Sequence, residues 1–127
     1  MADSPKADQW LEHLAGICLA LPEAVAQRQG DHADFRVRKK VFAYFLNDHH
    51  GDGIVSVCVK TEGSENVERA RLLPELFYLP AYIGKRGWVG MRLDQGAIDW
   101  SEVQRLVETS YRIVAPKSLL SQIHRDT

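Results

Sequence analysis

The sequence predicts a two-layer α+β domain, in which helices cover one face of a single antiparallel sheet of about five strands. Apolar residues recur at helical spacing near both ends of the chain, whereas apolar and polar residues alternate over much of its middle. The predicted order of elements is α-β-β-β-β-α-β-α, which is typical of this architecture. With 127 residues, of which 45% are apolar, the chain fits one domain over residues 1–127.

The first predicted helix ends at Pro22, because proline disfavours helical geometry at the residue before it. It begins either at Ser4-Pro5 or at Asp8, since both offer a suitable N-terminal cap. One face of the helix collects its apolar side chains, which are Trp10, Leu11, Leu14, Ile17, Cys18 and Leu21. We therefore expect Cys18 to be a core residue and not a reactive thiol.

Four short strands follow, because the period of the apolar residues changes to two. Their predicted spans are 24–29, 33–39, 41–47 and 54–60. Turn-forming residues separate them at Gly30-Asp31 and between Asn47 and Gly53. The third strand is apolar on both sides, so the pattern alone leaves its register open.

A second helix is predicted after Gly63, with Ser64 as its N-cap, and Pro74 either ends it or opens a short additional turn. Its inner side is expected to carry Val67, Ala70 and Leu73. A connection rich in proline and glycine, residues 78–87, then leads to a fifth strand over residues 88–94.

A third helix is predicted from Asp99 to Pro116, because Asp99 can cap it and Glu102 follows three residues later. Its apolar stripe comprises Trp100, Val103, Leu106, Val107, Tyr111 and Val114. A short helical tail is predicted from Ser118 to Ile123.

Alternation along the strands also predicts what the open face of the sheet carries. Phe35 and Val37 are expected to face the helices, whereas Ser56 and Cys58 are expected to face outward. The remaining outward side chains form a basic set with one aromatic ring, namely Arg36, Arg38, Lys60, Trp88 and Arg92.

Two loops add positive charge to this surface: the hairpin that contains Lys39 and Lys40, and Lys85-Arg86 before the fifth strand. Residues 28–40 hold five positive and two negative side chains, a local net charge of +3 in a chain whose net charge is −1. Fixed cations can contact successive phosphates, and Trp88 offers a ring for base stacking. The alternative is a solvated charged surface that keeps sheet edges from pairing.

The composition and the motifs of the sequence limit the classes of protein to which it can belong. A net charge of −1 gives no bulk attraction to nucleic acid or to an anionic membrane, so any basic site must be local. The chain shows neither a membrane-spanning apolar run nor a signal-peptide pattern, and we expect a cytoplasmic protein without a membrane partner. Catalytic and cofactor-binding motifs are missing, which disfavours an enzyme and predicts no cofactor.

The loop between Asp48 and Gly53 contains His49 and His50, which are possible metal ligands. Because adjacent residues rarely converge on one ion, we expect a solvated loop and no metal site.

Four segments together resemble a known family: Cys18 to Pro22, Phe35 to Tyr44, Pro80 to Val89, and the stretch from Asp99-Trp100 through Ser110-Tyr111 to Pro116-Lys117. In this order they are similar to the MmcQ/YjbR family of small bacterial proteins, and the resemblance covers nearly the whole chain. It implies a fold similar to those of CyaY and the type III secretion chaperones.

The resemblance also implies non-enzymatic DNA binding through two hairpin loops, or wings. The first wing corresponds to the hairpin from Arg36 to Lys40, and the second to Lys85-Arg86 or to the His49-His50 loop. Relatives usually have glycine in the first turn. This chain has Lys39 there, and lysine tolerates a positive φ poorly.

Two other functions stay open. The open sheet face, with Trp88, would suit a homodimer or another protein partner. A small anionic ligand could instead bind between the loop from Tyr82 to Trp88 and the segment from Tyr111 to Lys117. In that pocket the anion would be held by Lys85, Arg86 and Lys117.

Overall fold

A computed structural model describes residues 5–48 and 51–123, which form one open six-stranded antiparallel sheet and four helices. The helices are α1 (Pro5–Leu19), α2 (Glu65–Leu72), α3 (Trp100–Val114) and α4 (Lys117–Ile123). The strands are β1 (Val25–Gln29), β2 (His32–Val37), β3 (Lys40–Asn47), β4 (Val55–Lys60), β5 (Phe77–Tyr78) and β6 (Trp88–Arg92). The predicted α+β class and the single antiparallel sheet are confirmed.

The strands lie in the order β1-β2-β3-β4-β6-β5, and every neighbouring pair is antiparallel. The strand that the sequence does not predict is β5, which lies between α2 and β6 in the chain. It has two residues, Phe77 and Tyr78, paired with Met91 and Gly90. Two residues are too few to show an alternation, so the pattern could not reveal this strand.

The core lies between the sheet and the helices. Phe35, Val37, Val57 and Val59 are fully buried on the side where α1 and α3 pack, as the alternation predicts. From α1 the core receives Leu14 and Cys18, which confirms Cys18 as a core residue.

At its N-terminal end α3 contacts α1 through the ring of Trp100, which stacks on His13 with a centroid distance of 3.9 Å. Asp99 caps α3 as predicted, because its Oδ1 accepts a hydrogen bond from the Glu102 N–H at 3.2 Å.

A β-bulge settles the register that the sequence left open in the third strand. Phe35 pairs with Ala43, but the next residue of β2, Arg36, pairs with Val41, so Phe42 is the extra residue. Phe42 and Ala43 are consequently both fully buried. Beyond the bulge the alternation resumes, with Phe45 in the core and with Tyr44 and Leu46 on the open face.

The Ser110 hydroxyl joins α3 to this bulge. It donates to the Phe42 carbonyl at 2.6 Å and accepts from the Lys60 N–H at 2.9 Å, and Ser110 is fully buried. The ring of Tyr111, the next residue, packs edge-on against Phe42 with a centroid distance of 5.3 Å. This pair of contacts holds β3 and β4 at a fixed position under α3.

The predicted inner side of α2 is wrong. Val67 and Leu73 are 48% and 54% exposed, whereas Asn66 is buried. The Asn66 amide donates to the carbonyls of Gly84 and Trp88 at 2.8 and 3.1 Å. The helix packs beside β6 and β5, where Asn66 meets backbone carbonyls that need donors. The spacing of the apolar residues therefore predicts the wrong buried face for α2.

We predict that Ser110→Ala lowers the free energy of unfolding by about 2 kcal/mol, because it leaves a buried N–H and a buried carbonyl without this partner. Urea denaturation measures the change. Ser101→Ala, an exposed position on the same helix, is the control and should change stability by less than about 0.5 kcal/mol. Equal effects of the two substitutions would contradict the structural role of Ser110.

Candidate functional site

Two arginines on the open face are paired with aspartates two residues away. Arg36 binds Asp34 through two contacts of 2.8 and 3.2 Å, and Arg92 binds Asp94 through contacts of 3.0 and 3.3 Å. Each pair is electrically neutral as a unit. The predicted phosphate contacts by Arg36 and Arg92 would therefore have to displace a bidentate carboxylate.

The β2–β3 turn, predicted to be the first wing, has two central residues, Arg38 and Lys39, with φ angles of 51° and 71°. Positive φ at both positions is the geometry of a tight hairpin turn that favours asparagine and glycine. Lys39 therefore occupies the glycine position of the turn in a strained conformation. Arg38 turns back to Glu23, which it binds through contacts of 2.5 and 2.9 Å. Hydrogen bonding to Arg38 lowers the pKa of the Glu23 carboxyl.

Five other predicted cations have no ion pair with any residue in the described parts of the chain. Their positions follow from the strand register, since Val37 pairs with Lys40 and Lys60 pairs with Trp88. The β2–β3 turn, the end of β4 and the turn before β6 consequently meet at the same end of the sheet. We call this group the basic end, and it comprises Lys39, Lys40, Lys60, Lys85 and Arg86.

Carboxylates gather at the opposite end of the sheet. The β1–β2 turn, the β3–β4 loop and the end of β6 meet there, because these strands are antiparallel. The aspartates of this acidic end are Asp31, Asp48 and Asp52, together with Asp94, which is neutralised by Arg92. The net charge of −1 thus conceals a separation of charge along the strands.

Trp88 lies on the open face but is only 8% exposed, so it is not free to stack on a base as the sequence suggested. Its ring packs against Tyr44 with a centroid distance of 5.3 Å, and the backbone from Ile83 onward folds close to it. Alternation identifies the face of a strand, but it does not show that a distant loop covers that face.

Ser56 and Cys58 also point to the open face, yet both are fully buried, which corrects their predicted exposure. The ring of Tyr78 lies on the backbone of Gly90, so close that a Cβ there would be 2.5 Å from the ring Cζ. Its hydroxyl is 2.7 Å from Ser56 Oγ and 3.7 Å from Cys58 Sγ. Burial raises the pKa of the Cys58 thiol to about 11. Glycine inside a strand is a signal for such a close approach.

A cavity of about 430 Å³ opens on this face beside Tyr78, and sequence reasoning did not find it. It is bounded by β3, the β3–β4 loop and the segment after β5. The lining residues are Tyr44, Leu46, Asp52, Tyr78, Pro80, Ala81, Tyr82 and Ile83. Tyr82 is 86% exposed and has a φ of 67°.

The family model YjbR matches residues 19–113, well over half of the 127-residue chain. The chain belongs to the YjbR family. This finding confirms the resemblance drawn from the four sequence segments. Comparison with curated proteins gives no match.

This YjbR-family chain is also similar to the crystal structure of the Deinococcus radiodurans protein DR2400, which has a DUF419 domain. The identity is 19%, the TM-score is 0.68, and the alignment covers 90% of this chain and 87% of that chain. Similarity at this level of identity concerns the fold, and it agrees with the two-layer arrangement described above.

The alternative anion pocket does not form around Tyr111. In the YjbR-family fold described here, Tyr111 is fully buried among the helices, and its hydroxyl donates to the Pro22 carbonyl at 2.6 Å. Tyr82 lies on the opposite face of the sheet. Lys117 is exposed at the start of α4. The sheet therefore separates the two segments that were expected to enclose the ligand.

Some predictions fall on residues outside the described ranges. The His49-His50 loop, predicted as one candidate for the second wing and as a possible metal site, lies there, and so does Ser4.

Among residues 5–48 and 51–123, no group of three His, Cys, Asp or Glu residues could hold a metal ion. No helix in that part of the chain has the length and apolar character needed to cross a membrane. The predicted homodimer stays a prediction.

We predict that Lys39→Gly stabilises the protein by about 0.5–1 kcal/mol, because glycine adopts a positive φ without the steric cost that lysine has. Thermal or urea unfolding measures the gain. Lys40→Gly removes the same charge one residue later, within β3, and should destabilise because glycine weakens a strand. Loss of stability in Lys39→Gly would show that the turn is not strained.

We predict that Gly90→Ala forces the Tyr78 ring off the sheet and lowers the free energy of unfolding by about 1–3 kcal/mol. The Cys58 thiol should then react with a disulfide reagent at least about tenfold faster than in the wild type, because its cover is displaced. Cys18 is the internal control, since it is buried on the other face of the sheet. Equal acceleration at both thiols would indicate global unfolding instead.

Proposed function

We propose that this protein binds DNA through the sugar-phosphate backbone, with the basic end of its sheet as the contact surface. The observation that carries the proposal is that three separate segments bring cations to one end of the sheet, and that these cations have no ion pair within residues 5–48 and 51–123. Lys39 comes from the β2–β3 turn and Lys40 from the start of β3, Lys60 comes from β4, and Lys85-Arg86 come from the turn before β6. Residues far apart in sequence thus bring positive charge to one end of the sheet.

The dimensions of the basic end suit a phosphate backbone. Neighbouring strands are about 4.8 Å apart, so the distance from β3 across β4 to β6 is about 10 Å. Neighbouring phosphates of one DNA strand lie closer together than this distance, so the outer segments can contact different phosphates. The lysine side chains are long enough to reach these phosphates from strand ends and turns.

The separation of charge would orient the protein on DNA. The acidic end carries Asp31, Asp48 and Asp52, none of which has an ion pair among the described residues, and it would be repelled by the phosphates that attract the basic end. A chain with a net charge of −1 could therefore bind DNA in one orientation without bulk attraction.

Base-specific contacts are not part of the proposal. The buried ring of Trp88 and the paired guanidinium groups of Arg36, Arg38 and Arg92 offer no free group for reading a base. We therefore expect binding that depends little on sequence and strongly on salt.

The proposal predicts saturable binding to a short labelled DNA duplex at about 50 mM salt, measured by fluorescence anisotropy. With about four phosphate contacts, affinity should fall roughly a hundredfold between 50 and 200 mM salt. Lys39→Glu combined with Lys85→Glu should abolish binding, because it places carboxylates at two of the contact segments.

The matched control is Arg28→Glu combined with Arg71→Glu, which makes the same change in net charge away from the basic end. Arg28 lies near the far end of the sheet, and Arg71 lies on the exposed side of α2. This control should retain most of the binding. Equal losses in the two double variants would place the contact elsewhere, and no binding at low salt would refute DNA binding.

A further inference from the structure

We infer that the cavity on the open face is a binding site for an alkylated ammonium group, such as a trimethylammonium. Tyr44, Tyr78 and Tyr82 line it together with the carboxylate of Asp52. Several aromatic rings around one cavity attract a cation through their faces, and a quaternary ammonium suits such a site because it needs no hydrogen bonds.

The rings come from three different parts of the fold. Tyr78 packs against Gly90, and its hydroxyl is held by Ser56, so the ring forms a rigid part of the wall. Tyr44 stands on β3 at the level of Cys58 and Gly90, and its ring is held against Trp88. Two of the three aromatic walls are thus positioned before a ligand arrives.

Tyr82 provides the third ring under different constraints. It is 86% exposed, and its φ of 67° is unfavourable for a residue with a side chain. Because the ring is exposed, burial of the Tyr82 side chain contributes little free energy of folding to offset the cost of its backbone conformation. Backbone strain of this kind concentrates at ligand-binding positions.

The electrostatics of the cavity favour a cation. Asp52 has no ion pair with a residue in the described ranges, and one of its oxygens, Oδ1, accepts from the Ile54 N–H at 2.9 Å. The nearby arginines, Arg36 and Arg92, are neutralised by their own aspartates. Lys85 and Arg86 follow in the chain but do not line the cavity.

The remaining lining is apolar, from Leu46, Pro80, Ala81 and Ile83. Apolar walls accept alkyl groups and exclude a strongly hydrated cation such as Na⁺. With a volume of about 430 Å³ the cavity can hold a whole small molecule, and so an alkylated ammonium could come from a free metabolite-sized cation or from a modified lysine side chain.

The test uses choline as the probe, titrated into the full chain with chemical shifts of the backbone amides as the readout. The neutral isostere 3,3-dimethylbutan-1-ol has the same shape without the charge. We expect saturable shifts around the cavity with choline and at least about tenfold weaker binding of the isostere. A peptide with trimethyl-lysine, compared with its unmodified form, distinguishes a modified protein from a free cation as the source.

Two variants locate the site without disturbing the fold, because Tyr82 and Asp52 are exposed. Tyr82→Ala and Asp52→Asn should each weaken choline binding at least about fivefold, whereas Tyr82→Phe, which keeps the ring, should retain it. Equal binding of choline and its isostere, an unchanged affinity in Tyr82→Ala, or no saturable binding of either cationic probe would overturn the inference.

Discussion

The packing of the Tyr78 ring on Gly90 determines which residues of the open face of the sheet are covered. Without a side chain at Gly90, the ring can cross β6 and reach Ser56 and Cys58 on β4. The backbone after Tyr78 must then run over the same face before it returns as β6. One close contact therefore buries two polar strand residues, forms a wall of the cavity and brings Lys85 to the end of the sheet.

Charge in this molecule is organised at two scales. Over two residues along a strand, arginine and aspartate neutralise each other, as in Arg36 with Asp34 and Arg92 with Asp94. Over the length of the sheet, lysines that have no ion pair in the described part of the chain collect at one end, and Asp31, Asp48 and Asp52 collect at the other. The basic end and the cavity are consequently different surfaces with opposite preferences, the first for anions and the second for cations.

Much of the fold could be predicted from the sequence because it depends on local pattern. Alternation placed Phe35 and Val57 in the core, and the Asp99 cap marked the start of α3. The site could not be predicted in the same way, since it depends on long-range packing: the bulge at Phe42 needs its partner strand, and the burial of Cys58 needs Tyr78. The spacing of arginine and aspartate on one strand face was visible, and it could have identified the neutral pairs.

The edge strand β1 determines which backbone edge the sheet presents to its surroundings. All five of its residues, Val25–Gln29, are exposed, so it is held chiefly by its ladder with β2 and contributes no buried side chain to the core. Opening of β1 would cost little and would bare the edge of β2, a strand whose inward residues include Phe35. β1 therefore covers the edge of β2 and presents in its place an edge strand whose side chains, Arg28 among them, are all exposed.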